Sequence, residues 1–231
     1  AAVAMYFALS VTLPSMASLG GGGVCLARDP ATEGVEALEF YANGAEFAPV
    51  RAPRPAAAPA NPRGFFALHA RYGSLDWEGL LGPAIRLARE GAPITRSFSA
   101  HLEAARQFIG ADSEARRLFF GADGRPLQPG EILEQPELQS FLSLIARRGA
   151  GAFYDGPLGG LFVDGAFDAG AGLSTDDLRA VRPRWRPAVE VLVGDRVLAA
   201  PPPPAGGGLV AAQIVASAAF AGFAEFGPAA R

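Results

Sequence analysis

Few side chains in this sequence have the types and spacing that common active sites require. The histidines are His69 and His101, and the single cysteine is Cys25. The histidines lie far apart and lack His-x-x-x-His or Glu-x-x-His spacing, so we expect surface or hydrogen-bonded core residues instead of metal ligands. Cys25 lies in an apolar run, which favours a small buried thiol over a nucleophile. The sequence therefore supports neither a metal site nor a cysteine–histidine dyad.

Four consecutive glycines, Gly20–Gly23, are a second candidate for chemistry, because glycine-rich turns bind phosphate groups in many nucleotide-binding proteins. A P-loop also requires a lysine, and the sequence contains none. The glycines lead into an apolar, strand-like run, whereas a dinucleotide-binding turn opens a helix. We interpret them as a tight structural turn or a close backbone approach, with direct ligand contact as the minor alternative.

The composition excludes several classes of function. All 20 basic residues are arginine, so Schiff-base chemistry is excluded within these residues. The formal net charge is −3 and the arginines are spread along the chain, which gives no support for nucleic-acid binding. With 231 residues, 50% of them hydrophobic, the chain predicts one large folded domain. Its opening run is too short to span a bilayer and lacks signal-peptide flanks, and both ends look truncated.

The first third of the chain predicts a helix followed by two strands. Residues 1–12 are apolar on most faces and predict a buried helix stopped by Pro14. The runs GVCLARDP and VEALEFYANG predict a pair of strands separated by a turn. Residues 48–63 are rich in proline and alanine and predict an extended surface segment, either a loop or a linker.

The middle of the chain predicts helices. Apolar residues recur at helical spacing from Trp77 to Ala88, with Pro83 as a kink or a fresh first turn and Gly91 as the stop. A second such helix is predicted from Pro136 to Gly149. The motif STDDL at 174–178 is a capping-box signal, which predicts the start of a short helix.

The end of the chain predicts a hairpin and a last helix. The run PAVEVLVGDRVLAAP alternates apolar and polar residues about Gly194-Asp195, which predicts two strands joined by a two-residue turn. Residues 208–224 are apolar nearly all round, and we expect a deeply buried helix in preference to a membrane-embedded one. Together these elements predict a mixed α/β (α+β) layered domain.

Several of these stretches, taken in order, resemble one family. The opening run AAVAMYFALSVTLPSMASLGGGGVCLARDP is similar to the start of the large subunit of γ-glutamyltransferases (glutathione hydrolases). The later blocks VEALEFYANGAEFAP, FFALHARYGSLDWEGLLGPAIRLAREGAPIT, GRPLQPGEILEQPELQSFLSLIARRGAGAFYDG, GGLSTDDL and PPPPAGGGLVAAQIV resemble the family's subsequent large-subunit blocks. The resemblance covers nearly the whole chain, so residues 1–231 are expected to be a single partial domain, the large-subunit part of a precursor.

The resemblance implies an N-terminal-nucleophile hydrolase with a four-layer αββα sandwich, of which this chain is the large-subunit portion. It implies a precursor that cleaves itself, after which the N-terminal threonine of the small subunit attacks a γ-glutamyl amide such as that of glutathione. The threonine's own amino group acts as base, and no cofactor or metal is required. The acyl group then passes to water or to an amino-acid or peptide acceptor. That threonine lies beyond residue 231, so no catalytic residue falls in this chain. A periplasmic or secreted location is also implied.

The resemblance assigns one substrate-binding position to this sequence. In the family, the strand resembling LEF is followed by an arginine that binds the α-carboxylate of the γ-glutamyl group. Here that position holds Tyr41. A tyrosine donates a neutral hydrogen bond and carries no charge, so we expect a glutamyl carboxylate to bind more weakly, by roughly a few kcal/mol at a buried site. Arg51 or Arg54 is the candidate for a replacement charge.

Other positions also depart from the family's pattern, and three interpretations stay open. Ala60 stands where the family has a glycine, and Ala205-Gly206 stand where serines usually follow the prolines. The first interpretation is a γ-glutamyl amidohydrolase or transferase with a modified donor pocket. The second is a related acylase acting on another amide, such as a β-lactam side chain, and the third is a non-catalytic homologue used for binding or assembly.

Overall fold

The computed structural model describes residues 1–47, 56–193 and 196–221. The helices in these ranges are α1 (Ala2–Thr12), α2 (Pro14–Ala17), α3 (Asn61–Tyr72), α4 (Trp77–Glu90), α5 (Arg96–Ala104), α6 (Arg106–Gly110), α7 (Ser113–Phe119), α8 (Pro136–Arg148), α9 (Gly151–Tyr154), α10 (Pro157–Asp168), α11 (Thr175–Ala180) and α12 (Gly206–Phe220). The strands are β1 (Gly23–Arg28), β2 (Val35–Phe40), β3 (Asn43–Gly44), β4 (Ala57–Ala58), β5 (Ala92–Pro93), β6 (Ile132–Leu133), β7 (Arg184–Pro187), β8 (Val189–Val193) and β9 (Arg196–Ala200).

The chain forms two compact units. The first comprises Ala1–Gly22 and Ala42–Arg182, and it contains most of the helices. The second comprises Gly23–Tyr41 and Pro183–Arg231, and it contains β1, β2, β7, β8, β9 and α12.

The core of the first unit is built by α1, α4 and α8, as the helical spacing predicted. Phe7 of α1 meets Trp77 of α4 edge to face, with ring centroids 5.6 Å apart. The indole Nε1 of Trp77 donates a 2.9 Å hydrogen bond to the carbonyl oxygen of Ile145 in α8. The hydrogen bond compensates for the burial of the indole N–H. Through these two contacts Trp77 joins three helices.

The ends of α4 and α8 follow their sequence signals. Asp76 caps α4 by accepting a hydrogen bond from the backbone N–H of Gly79 at 3.0 Å. Pro83 lies inside α4, which is one continuous helix. Gly91 and Gly149 follow the last residues of α4 and α8 with φ of 86° and 73°, a region that glycine adopts without strain.

The predicted capping box at the start of α11 is present. Ser174 Oγ accepts from the backbone N–H of Asp177 at 3.1 Å, and the Asp177 carboxylate accepts from the backbone N–H of Ser174 at 2.8 Å. The other carboxylate oxygen of Asp177 accepts from the backbone N–H groups of Glu46 and Phe47 at 2.6 and 2.9 Å. Burial alone would raise the pKa of Asp177, but the backbone N–H of Phe47, the Ser174 hydroxyl and the N–H of Glu46 outweigh it and lower the pKa. The carboxylate therefore holds the 46–47 segment against the start of α11.

The prediction of an extended segment over residues 48–63 was wrong at its end. Ala57–Ala58 form β4, and α3 begins at Asn61 with Pro62 in its first turn. Proline is accepted in the first helical turn, so a proline-rich run can start a helix as well as interrupt one. Residues 48–55 lie outside the described ranges.

The second unit contains the predicted strand pair. β1 and β2 are antiparallel, with Cys25 opposite Leu38, and β7 pairs with the other edge of β2. The predicted hairpin is β8 with β9, whose Val193 and Arg196 are partners; its turn at 194–195 lies outside the described residues.

The last helix, α12, packs on β8 and β9, but the expectation that it is deeply buried was wrong for this chain. Of its described residues only Ala212 is buried, whereas Ile214 is 63% and Phe220 97% exposed. A two-stranded hairpin covers only one side of a helix, so the remaining apolar sides of α12 have no cover within the described chain. None of the described helices combines the length and the hydrophobicity of a membrane-spanning segment.

Candidate functional site

Tyr41 comes directly after Phe40, the last residue of the central strand β2. Its side chain is half-buried and its hydroxyl oxygen is fully enclosed, without a hydrogen-bond partner among the residues that the structure describes. Most buried hydroxyl groups are paired, and an unpaired one costs roughly 1–3 kcal/mol. The hydroxyl of the predicted substrate-binding residue therefore neither donates nor accepts a hydrogen bond within the described chain.

A buried carboxylate and an arginine lie beside Tyr41. Glu39 of β2 is nearly buried, and its Oε1 accepts a 3.4 Å hydrogen bond from Nη1 of Arg186 on the neighbouring strand β7. The same nitrogen donates to the carbonyl oxygen of Pro203 at 2.8 Å. The antiparallel register sets Arg186 opposite Ala37, so the long guanidinium reaches along the strand to Glu39.

These neighbours keep Tyr41 neutral. Burial raises the pKa of the Tyr41 phenol, the negative charge of Glu39 raises it further, and the positive charge of Arg186 opposes both. A phenol with a raised pKa stays protonated at physiological pH, so it offers a hydrogen bond without a charge. The charge at this position comes from Arg186, which already has a carboxylate and a carbonyl as partners.

Sequence reasoning did not find Arg186. Arg51 and Arg54, the predicted replacements for the missing charge, lie outside the described residues. Arg186 belongs to the run RWRP, which forms β7 and was not predicted as a strand. The alternation of arginine with tryptophan was the available signal, because period-two patterning is typical of a half-buried strand.

The four glycines connect α2 to β1, so they form the structural turn that the sequence predicted. Gly20, Gly21 and Gly23 do not adopt positive φ, and the feature that requires glycine is a close approach at Gly21. A Cβ on Gly21 would lie 3.0 Å from Nδ2 of Asn61. The carbonyl oxygen of Gly21 accepts hydrogen bonds from the backbone N–H groups of Ala60 and Asn61 at 2.9 and 3.0 Å. The turn thus fixes the start of α3, where Ala60 is buried.

The remaining candidates stay apart from one another. His69 is hydrogen-bonded through Nε2 to the carbonyl oxygen of Leu75 at 2.7 Å, and His101 through Nδ1 to Oγ of Ser15 at 2.8 Å. Both lie in helices and are satisfied, as predicted. Burial raises the pKa of the Cys25 thiol, which disfavours the thiolate that a nucleophile requires. Within the described ranges, no group of three His, Cys, Asp or Glu side chains could hold a metal ion.

Comparison with known proteins assigns the family. The family model described as γ-glutamyltranspeptidase matches residues 1–226. The chain belongs to the γ-glutamyltranspeptidase family. Glutathione hydrolase 3 of Arabidopsis thaliana is 30% identical over 206 residues, which are 83% of this chain and 32% of that protein. The glutathione hydrolase proenzyme of Escherichia coli strain K12 is 27% identical over 202 residues, 79% of this chain and 34% of that protein.

A solved structure of the family has the same fold. The γ-glutamyltranspeptidase of Helicobacter pylori superimposes with a TM-score of 0.85 at 26% identity, over 93% of this chain and 66% of that chain. This similarity confirms the predicted mixed fold of the N-terminal-nucleophile hydrolases, with this chain as the large-subunit portion of the four-layer sandwich. The chain spans about a third of the length of the curated γ-glutamyltranspeptidase relatives given above.

Proposed function

We propose that this chain is the large-subunit part of an enzyme that hydrolyses or transfers γ-glutamyl groups of glutathione-type donors. Membership of the family over residues 1–226 is the observation that carries the proposal. The nucleophile is an N-terminal threonine of a small subunit beyond residue 231, and the reaction proceeds through an acyl-enzyme that water or an amine acceptor resolves. This chain contributes to donor binding and to the scaffold, and by itself it is inactive. Periplasmic or secreted location follows from the same family resemblance.

Tyr41 is the donor-side residue in this proposal. Its enclosed hydroxyl has no partner in the described chain, and a substrate group is one partner that would satisfy it. Because Tyr41 is neutral and Arg186 is engaged by Glu39, the site attracts a carboxylate less strongly than a free arginine would. We therefore place the γ-glutamyl donor here with weak affinity for its α-carboxylate.

A small subunit of the same precursor is the proposed partner. The apolar residues Val210, Ile214 and Phe220 of α12 are exposed in this chain. Apolar surface of this extent on one helix is typical of a face that another chain covers. The curated relative from E. coli is called a proenzyme, which agrees with a processed precursor.

A related acylase is the second candidate, and the neutrality of Tyr41 favours it. A phenol that keeps its proton forms no ion pair with an α-carboxylate, so this position contributes less than an arginine would to selecting the α-amino acid group of a γ-glutamyl donor. Such an enzyme would act on an amide whose acyl side chain lacks the α-amino acid group of glutamate.

The test is to express the full-length parent protein and to run a denaturing gel beside assays with γ-glutamyl and glutaryl anilides. Two subunits with γ-glutamyl anilide release would support the first proposal. Two subunits that release only the glutaryl product would favour the acylase. One uncut and silent chain would refute both and leave a binding homologue. A variant without the side-chain hydroxyl of the small-subunit threonine is the control and should stay uncut.

A further inference from the structure

An arginine-lined groove lies in the first unit, within residues 96–129. It has a volume of about 1010 Å³ and is lined by α5, α6, α7 and the segment from Phe120 to Pro129. Its charged wall residues are Arg96, Arg106, Arg116, Arg125 and one acid, Glu103. The groove therefore carries a clear excess of positive charge in a protein whose formal net charge is −3.

Two of these arginines have no carboxylate partner. Arg106 bonds to Glu103 at 3.1 Å and Arg125 to Asp123 at 2.6 Å. Arg96 and Arg116 form no ion pair with any residue in the described ranges, and both are exposed. A guanidinium without a protein partner keeps its five donors available for an anion, and its planar fork suits a carboxylate.

One serine, Ser99, also lines the groove. The residue is only 7% exposed, and its backbone N–H donates to the carbonyl oxygen of Thr95 at 2.9 Å. Its side chain gives the groove a hydroxyl, which can donate a hydrogen bond to a ligand or accept one from it.

The walls of the groove are held in place before any ligand binds. Ile94, Phe98, Leu102 and Leu133 form a buried cluster beneath α5, with Phe119 of α7 packed against it. The 121–125 turn is closed by hydrogen bonds from Gly121 N–H to the Arg125 carbonyl at 2.9 Å and from Gly124 N–H to the Gly121 carbonyl at 3.0 Å. A fixed wall loses little conformational entropy on binding.

We propose that this groove binds an acidic peptide segment. The volume is at the upper end of small-ligand pockets, which favours an extended ligand over a single amino acid. Arg96 and Arg116 bind carboxylates, the Ser99 hydroxyl and the amides of Gln107 and Gln128 suit backbone groups, and Phe120 supplies an apolar contact.

The test measures binding of a fluorescein-labelled hexaglutamate peptide to the full-length protein by fluorescence anisotropy. We expect Arg96→Gln and Arg116→Gln each to raise the Kd about tenfold. Arg89→Gln is the matched control, because it removes the same charge from an exposed arginine outside the groove and should leave the Kd unchanged. Ser99→Ala should raise the Kd about fivefold, because it removes a hydroxyl that lines the groove.

Three results would overturn the proposal. In the first, the wild-type protein binds hexaglutamate no more tightly than a labelled hexaglutamine peptide. In the second, Arg89→Gln weakens binding as much as Arg96→Gln does. In the third, the groove binds inorganic tripolyphosphate but not hexaglutamate, which would make it a phosphate site. Thermal melting of every variant separates loss of binding from loss of folding, and none of these readouts depends on amide hydrolysis.

Discussion

Nη1 of Arg186 lies 3.4 Å from Oε1 of Glu39 on the neighbouring strand, although the register pairs Arg186 with Ala37 and Glu39 with Arg184. Glu39 is almost fully buried, whereas the Arg186 side chain is 45% exposed. Removing one partner of a pair with a buried member leaves a charge that is poorly solvated. Arg186 therefore compensates the charge of Glu39 before any substrate binds. A substrate carboxylate at Tyr41 would have to share this guanidinium with Glu39.

Tyr41→Arg should improve binding of a γ-glutamyl donor. The substitution would place a charged fork at the position that the resemblance assigns to carboxylate binding. If the proposed donor site is right, we expect the KM for γ-glutamyl anilide to fall about tenfold or more, which corresponds to roughly 1.4 kcal/mol or more. An anilide of butyric acid, which has no carboxylate, is the control substrate and should show no gain. Tyr41→Phe removes a hydroxyl without a protein partner and should not lower the Tm. Equal improvement on both substrates would argue against a carboxylate site.

Asp177→Asn should lower the unfolding free energy by about 2 kcal/mol, because a charged acceptor of backbone N–H groups becomes a weaker neutral one. The folded-state pKa of Asp177 is lowered relative to an unfolded aspartate, about 3.9. Its contribution is thus full above that value and is lost as the pH falls through the folded-state pKa. The difference between wild type and variant should be constant from about pH 5 to 8 and shrink below about pH 4.

Asp176→Asn is the matched control for that measurement. Asp176 is exposed and its interaction with Arg179 at 2.9 Å is a surface ion pair on the same helix, so its loss should cost no more than about 0.5 kcal/mol. Denaturant unfolding of the two variants at pH 7 and pH 3 gives the comparison. If Asp176→Asn proves as destabilising as Asp177→Asn, the clamp on residues 46–47 is not what stabilises α11.

Arg63 should matter more than its acidic partner. Arg63 bonds to Asp155 at 2.6 Å and to the carbonyl of Val181 at 2.8 Å, and its guanidinium carbon lies 4.1 Å from the centroid of the Tyr154 ring. The Arg63 side chain is 15% exposed and that of Asp155 is 58% exposed. Burial lowers the pKa of Arg63 and the charge of Asp155 opposes that change.

We expect Arg63→Met to cost about 2 kcal/mol of unfolding free energy, since it removes the Val181 hydrogen bond and the contact with Tyr154. Asp155→Asn should cost about 0.5 kcal/mol, because water replaces much of what an exposed carboxylate provides. Denaturant titration of both variants measures the two costs. The reverse order would mean that the ion pair, rather than the packing of Arg63, holds α3 in place.

Local patterns predicted much of this fold because their partners are close in sequence. The capping box joins Ser174 to Asp177, and the β8–β9 hairpin joins neighbouring runs, so propensity and packing agree there. The second use of Asp177, as acceptor for residues 46–47, joins segments far apart in the chain and left no local signal.

The candidate site shows the same limit. Tyr41 was found by resemblance to a motif, but Arg186 comes from a strand whose pairing with β2 only the structure gives. The exposure of α12 was missed for a different reason. An apolar helix must be covered, and sequence periodicity does not say whether the cover comes from this chain or from another.

Gly21→Val should prevent folding or maturation of the parent protein. The Cβ would lie 3.0 Å from Nδ2 of Asn61, which is itself held by a 2.6 Å hydrogen bond to the carbonyl of Ser18. Neither side can move freely, because the carbonyl of Gly21 also accepts the backbone N–H groups at the start of α3. We expect less soluble protein and less of the cleaved form on a denaturing gel. Gly20→Val is the matched control, since its Cβ would lie 3.4 Å from Oγ of Ser18, which is an ordinary van der Waals contact. A Gly21→Val protein that matures and works as well as Gly20→Val would show that the turn needs flexibility but not a close approach.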